Sequence, residues 1–565
     1  MKNKSHRKKY DKSTRRHTPI TAFVVLVPFV IALAMFYYMF GPGLMNDLAT
    51  RGDNRLVTPG WQTAASELTS AKPTYETKYS YYQLQLGQNL QWAAQHFSVT
   101  LASLQKMNPG NAAWGTTIRV TPVERPLTVF PASDITTAGV TVTKGTDGVI
   151  VVANRFTNAK AYMTMPQLMK VTQQYGAVVQ LSSKSYEITK PLYVQDNIRM
   201  DITNATVDNL YLRSDPNYDI TTLTFRDSEA LFDHVNVTSY VTTTKGPDTN
   251  YNDGRSFLRA YGSARMDMLD TTSSFMGMTK DQATNPALQA RLGFISQGGV
   301  YGVSWRISSG TFGQNDSTGW IERSTFKHNY IGAFTFGAQG MMWRNNLFTE
   351  NHVYGLDPHD DSNNATIEYN RFVSNGKHGF IVSKRCDYNV IKDNISIDNK
   401  LHGFMLHDNS DYNVFENNVA IGNYDNFVMY QSSFNMVRNN KAYNPRGSQV
   451  RINQASIQNY IENNQFYGGS RGVYLYGSDN GTEIANNTFR NVNYQLVTDG
   501  ASRVLFSANT SNNLGYKLKK SDRVVFGVNK INKQENVDMR PLLTVQQSKL
   551  NGQTLAEAAI VARTQ

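Results

Sequence analysis

Seven consecutive residues gather side chains suited to moving protons: Tyr354, Gly355, Leu356, Asp357, Pro358, His359 and Asp360. An imidazole titrates near neutrality and suits a general base, so His359 is the candidate for that role. Arg385 carries a charge that does not titrate. Set against a substrate carboxylate, it would stabilise the enolate that develops when the neighbouring carbon loses a proton. Asp357 suits orienting the histidine or hydrogen-bonding a carboxyl group held protonated, and Tyr354 suits a second proton transfer. Pro358 removes a backbone donor where a strand is expected, and a local break of this kind next to acids and a histidine marks a functional site.

The elements that must position these groups follow from an internal repeat. The segments NNLFTEN, YNRFVSN, DNISIDN, NNVAIGN, NNKAYN, NNQFYG and NNTFRN align on Asn346, Asn370, Asn394, Asn418, Asn440, Asn464 and Asn487, with steps of 24, 24, 24, 22, 24 and 23. A glycine column runs beside them at Gly332, Gly355, Gly379 and Gly403. Short strand-like coils of this period bury their apolar side only by stacking. At about 4.8 Å per coil, stacked asparagines can bond in a ladder. The expected fold is therefore mainly β, a right-handed parallel β-helix over residues 146–535. Alternation along each strand turns Leu356, Phe380, Phe404 and Phe427 inward, with Val382, Leu406 and Met429. The outward columns are then Phe334, Asp357, Ile381, Met405 and Val428, and Phe336, His359, Ser383, His407 and Tyr430. Asp361 and Arg385 continue that face if the strand stays extended, whereas the alternation does not reach Tyr354. A line of aromatic, imidazole and charged groups suits an extended sugar polymer. His407, Asp360, Lys384, Phe336 and Tyr430 are the candidate substrate-binding residues, and Arg451 is a further cation on that face.

The heptapeptide closely resembles the YG(F/L)DPH(D/E) signature of mannuronan C-5 epimerases, on the kind of coil where that family carries it. The resemblance spans roughly residues 146–530. It implies a catalytic set of Tyr354, Asp357, His359 and, from the family's periplasmic branch, Arg385. The implied activity converts mannuronate to guluronate residues in an alginate-like polymer, with no cofactor. Asp357, Asp360, Asp361 and Asp408 could gather Ca²⁺, but no EF-hand or RTX repeat accompanies them. Two alternatives stay open: a polysaccharide lyase, which shares the first proton abstraction, and a non-catalytic exopolysaccharide-binding scaffold. A glycosidase lacks its facing pair of carboxylates.

Residues 76–122 read as strand, helix, helix, strand and resemble a LysM domain, which implies binding of peptidoglycan or another N-acetylglucosamine glycan. Here Gly87-Gln88-Asn89 stands where that family often has Gly-Asp-Thr. Eight Lys/Arg and one acid, Asp11, lie in residues 1–19, so most of the formal +12 belongs to this tail. Residues 20–45 are uncharged and long enough for a membrane anchor, with the basic tail cytoplasmic and the rest exported. A linker, 46–75, follows, and residues 536–565 form a C-terminal segment. Expected partners are an anionic polysaccharide, the cytoplasmic membrane and a polysaccharide secretion complex. No nucleic-acid motif is present. The single cysteine, Cys386, excludes an intrachain disulfide.

Overall fold

The computed structural model describes residues 80–83, 89–96, 100–110, 117–120, 126–156, 158–292, 301–307, 317–513 and 515–531. The basic tail, the apolar run 20–45, the linker and the C-terminal segment lie outside these residues. Among the described residues no helix is long and apolar enough to cross a membrane.

Within 76–122 the strand–helix–helix–strand order is present. Ser80–Gln83 pairs antiparallel with Thr117–Val120, and helices Leu90–His96 and Leu101–Met107 lie between them in the chain. Thr100 caps the second helix by accepting a hydrogen bond from the Ser103 amide at 3.1 Å. Asn108 ends it, its Nδ2 donating to the Leu104 and Arg119 carbonyls. Leu90, Ala93, Ala94, Leu104 and Ile118 form a small core of their own.

The remainder is a parallel β-helix. Each coil contributes one short strand to each of three sheets, as in Leu356–His359, Thr366–Glu368 and Arg371–Val373. Among the described residues the sheet that carries the heptapeptide has 15 strands, of which only Val140–Lys144 and Ile150–Asn154 pair antiparallel. Register follows the sequence columns. Phe334 pairs with Asp357, and Phe336 with His359 and then Ser383, His407 and Tyr430. Leu356, Phe380, Val382, Phe404, Leu406, Phe427 and Met429 are fully buried in one continuous core. Rings stack coil on coil within it, Phe326 on Phe348 at 4.9 Å and Phe348 on Phe372 at 5.1 Å.

The asparagine ladder forms and is not alone. Asn346 Nδ2 donates to Asn370 Oδ1 at 2.9 Å, and the chain of bonds continues through Asn394, Asn418, Asn440, Asn464 and Asn487 to Asn509 and Asn529. A second ladder joins Asn351, Asn375, Asn399 and Asn423, and a third Asn389, Asn413, Asn435 and Asn459. These amides satisfy backbone groups where the chain turns between sheets, as when Asn370 Nδ2 also donates to the Trp343 carbonyl. The glycine column exists because coils approach there: a Cβ on Gly355 would lie 2.4 Å from the Gly379 carbonyl oxygen.

Candidate active site

The strand Leu356–His359 ends at His359, and Asp360 and Asp361 both take left-handed backbone angles, φ 43° and 59°. Lys384 and Arg385 do the same on the next coil, at 64° and 60°. The extended strand assumed from sequence therefore stops two residues short of Arg385. The arginine enters the site from this turn rather than from the strand. Such angles are uncommon for residues other than glycine and are held here by the coils on either side.

The turn brings His359 and Arg385 to the same carboxylate. Asp360 Oδ2 lies 2.5 Å from His359 Nδ1, and Asp360 Oδ1 accepts from Arg385 Nη2 at 3.3 Å. Arg385 also makes a two-pronged pair with Asp361, Nε to Oδ1 at 3.0 Å and Nη2 to Oδ2 at 2.8 Å. Burial pushes the Asp360 carboxyl up, but the His359 hydrogen bond and the charges of His359, Lys384 and Arg385 outweigh it and hold the group below its ordinary value. An ionised Asp360 accepts the Nδ1 proton, which leaves Nε2 as the basic nitrogen. Sequence reasoning offered Asp357 either for orienting the histidine or for hydrogen-bonding a substrate carboxyl; the carboxylate that meets the imidazole is Asp360.

Asp357 stands apart. It faces outward between Phe334 and Ile381 and is only 3% exposed. Among the described residues its Oδ1 has no hydrogen-bond partner. Burial raises its pKa to about 7, against the lowering effect of His359. The whole outward column is covered rather than solvent-facing, with Phe334 at 1% and Met405 at 6% exposure. Tyr301, Tyr330 and Tyr354 pack over its first part, and Tyr354 and Tyr430 over Ile381, Met405 and Val428. Tyr354 therefore shares the outer face with Asp357, a point the alternation left open. His359 approaches Phe334 as well, ring centroids 5.4 Å apart. Burial and the nearby Asp357 raise the Tyr354 hydroxyl to about 12, so it stays protonated at neutral pH.

Behind Tyr354 runs a column that the sequence reading missed. His378 stacks on Tyr354 at 5.0 Å and on His402 at 4.8 Å. The His402 amide donates to His378 Nδ1 at 3.4 Å, which puts the His378 proton on Nε2. Burial lowers His378 to about 3 and His402 to about 2, so both rings are neutral. Arg451 turns to this column, Nη1 lying 3.1 Å from Asp425 and Nη2 3.0 Å from His402 Nε2. The repeated His-Gly-Phe at 378 and 402 was the available signal.

Among the substrate-binding candidates, His407 Nδ1 lies 2.9 Å from Ser383 Oγ and its ring stacks on Tyr430 at 4.9 Å. Lys384 lies close enough that its charge acts on Asp357, Asp360 and His407. Phe336 sits under Arg306, 5.0 Å from guanidinium to ring centroid. The Asp360 carboxylate meets His359, and that of Asp361 pairs with Arg385.

Fold and site together define a β-helical protein with an acid–base cluster on one sheet face. Residues 302–420 match the family described as right handed beta helix region, and 374–518 the family described as periplasmic copper-binding protein (NosD). The chain is similar to a mannuronan C5-epimerase of Pseudomonas putida, 30% identical over 264 residues, 45% of this chain and 47% of that protein. It is also similar to the mannuronan C5-epimerase AlgG of Azotobacter vinelandii, 36% identical over 165 residues, 29% of this chain and 31% of that one. The matches thus span about half and about a third of these relatives. The crystal structure of the periplasmic alginate epimerase AlgG superposes with a TM-score of 0.55 at 20% identity, covering 72% of this chain and all of that one, a likeness of fold.

Proposed function

We propose that the chain is a mannuronan C-5 epimerase that converts β-D-mannuronate to α-L-guluronate residues within a polymer. What supports the reading is that His359 and Arg385 meet on Asp360, while Asp357, on the same face as Tyr354, lies close enough for the charges of His359 and Asp360 to act on it. His359 Nε2 removes the C-5 proton while Asp360 holds the imidazole tautomer and orientation. Arg385 and a protonated Asp357 face the substrate carboxylate and stabilise the enolate. Tyr354, protonated at neutral pH, returns a proton from the other side of the ring. His407, Lys384, Phe336 and Tyr430 hold neighbouring sugars. The relatives named as mannuronan C5-epimerases support the substrate class.

The enzyme works outside the cytoplasmic membrane, anchored through residues 20–45, and its LysM-like unit binds an N-acetylglucosamine glycan. The basic flank before the apolar run supports that orientation.

The test is NMR of polymannuronate after incubation with the protein in D₂O. Guluronate anomeric signals and deuterium at C-5, without loss of chain length, are expected. An unsaturated, ultraviolet-absorbing product means a lyase and an unchanged polymer a scaffold; either sinks the proposal.

A further inference from the structure

The outer face of the same sheet continues toward the N-terminus of the β-helix through strands Leu192–Gln195, Thr222–Arg226, Phe257–Tyr261 and Val303–Arg306. In register, Tyr193, Thr224, Arg259 and Ser304 lead to Phe334 and Asp357, while Arg226, Tyr261 and Arg306 lead to Phe336 and His359.

Arg259 is anomalous on this track. Its neighbours Leu258 and Ala260 are in the core, so its side chain leaves the sheet on the outer face. It is 5% exposed, yet its polar contacts are neutral: Nη2 donates to the Tyr193 hydroxyl at 2.9 Å, and the guanidinium lies 4.8 Å from the Tyr261 ring centroid. Among the described residues its Nε has no hydrogen-bond partner, and neither has Ser304 Oγ on the adjacent coil. The charged side chain that acts on it is a second cation, Arg306, which packs against the rings of Tyr301, Phe334 and Phe336 and hydrogen-bonds the Tyr301 hydroxyl.

Other buried arginines are compensated. Arg199 pairs with Asp201 at 2.6 Å, and Arg255 donates to the Phe275 and His328 carbonyls. A buried cation without a counter-charge is costly, and two orphaned polar atoms side by side with a second arginine have the composition of an anion site.

We propose that Arg259, Ser304 and Arg306, bordered by Tyr193 and Tyr261, form a carboxylate subsite for the polymer. Ser304 and Arg306 lie two coils, roughly 10 Å, and Arg259 three coils, roughly 14 Å, from the coil of Asp357. This rests on the polyuronate reading of the active site and adds to it. It fixes a direction in which the chain must extend from the reacting sugar, and a minimum length for full affinity.

The test compares the full-length wild type with Arg259→Met and Arg306→Met. Without polymer, Arg259→Met is expected to melt at or above the wild type, because it removes an unpaired buried charge. Polymannuronate is expected to raise the wild-type melting temperature more than that of Arg259→Met. Either variant should raise KM for long polymannuronate about tenfold or more, with kcat within about twofold. Both should match the wild type on an oligomer too short to span the two sites. A sulfate series at matched ionic strength reports the response to a free anion; protection by sulfate equal to that by polymer overturns the assignment to a uronate. Unchanged KM in both variants of an active enzyme overturns the subsite alone. A wild type that neither binds nor epimerises polymannuronate overturns the active-site reading and this one with it. Should Arg259→Met fail to fold, Arg306→Met, at a half-buried position, carries the KM comparison.

Discussion

Asp360 Oδ2 lies 2.5 Å from His359 Nδ1, and the other oxygen of the same carboxylate faces Arg385. One carboxylate thus fixes the histidine tautomer and couples it to the cation. Asp360→Asn replaces an acceptor by a group that can present an N–H to Nδ1, which moves the imidazole proton to Nε2. The expected result is a fall in kcat of about 10²-fold or more with little change in KM. The measurement is C-5 deuterium uptake at saturating polymer. A variant with near-normal kcat would remove Asp360 from the mechanism.

Asp357 gives a pH signature. Burial raises its folded pKa to about 7, so the neutral form dominates below that value. If the protonated acid donates to the substrate carboxylate, kcat falls as pH rises through about 7. Asp357→Asn keeps a donor that does not ionise, so this alkaline limb is expected to flatten in a kcat–pH profile. Persistence of the same limb in the variant would assign it to another group.

The register of the β-helix was legible because two signals agreed. Asn346 to Asn487 repeat at near-constant steps, and the Leu356, Phe380, Phe404 and Phe427 positions alternate with outward residues. The other two ladders were equally present in the sequence, at Asn351 to Asn423 and Asn389 to Asn459. The approach of Arg385 was not legible, since left-handed angles at Lys384 and Arg385 depend on the coils above and below. Nor was the choice of Asp360 over Asp357, because alternation assigns a face and says nothing of the turn beyond it. Arg259 and Ser304 lie on coils without the asparagine motif, and their register appears only when strands pair.

The ladder should be costly to interrupt. Asn394 Nδ2 donates to the Ile367 carbonyl at 2.8 Å and to Asn418 Oδ1 at 3.0 Å, while its Oδ1 accepts from the Asn370 amide at 2.9 Å. Asn394→Ala leaves these buried groups unpaired. A loss of about 3 kcal/mol or more is expected in denaturant unfolding. A loss below about 1 kcal/mol would mean that water or relaxed backbone replaces the amide.

Asp479 supplies the clearest pH-dependent stability. It continues a column that holds Ser410, Ser432 and Ser456, where each Oγ accepts an amide from the preceding coil. Ser410 and Ser456 also donate to the carbonyl three residues earlier, His407 and Asn453. An ionised carboxylate has no proton to donate, and among the described residues Asp479 Oδ2 has no hydrogen-bond partner. Burial accordingly raises its pKa to about 8 from an ordinary 3.8, against the Thr482 hydrogen bond. The raised value means that the folded state binds the proton more tightly than the unfolded chain. The associated stability is fully present below about pH 4 and is lost progressively as pH rises to about 8. Asp479→Asn keeps an acceptor for Thr482 and adds a donor that does not titrate. Its melting temperature is expected to exceed that of the wild type by several degrees at pH 8, with the gap closing toward pH 4. Calorimetric scans across that range measure it, and a gap that stays constant with pH would show that Asp479 is already neutral throughout or is compensated in the folded chain.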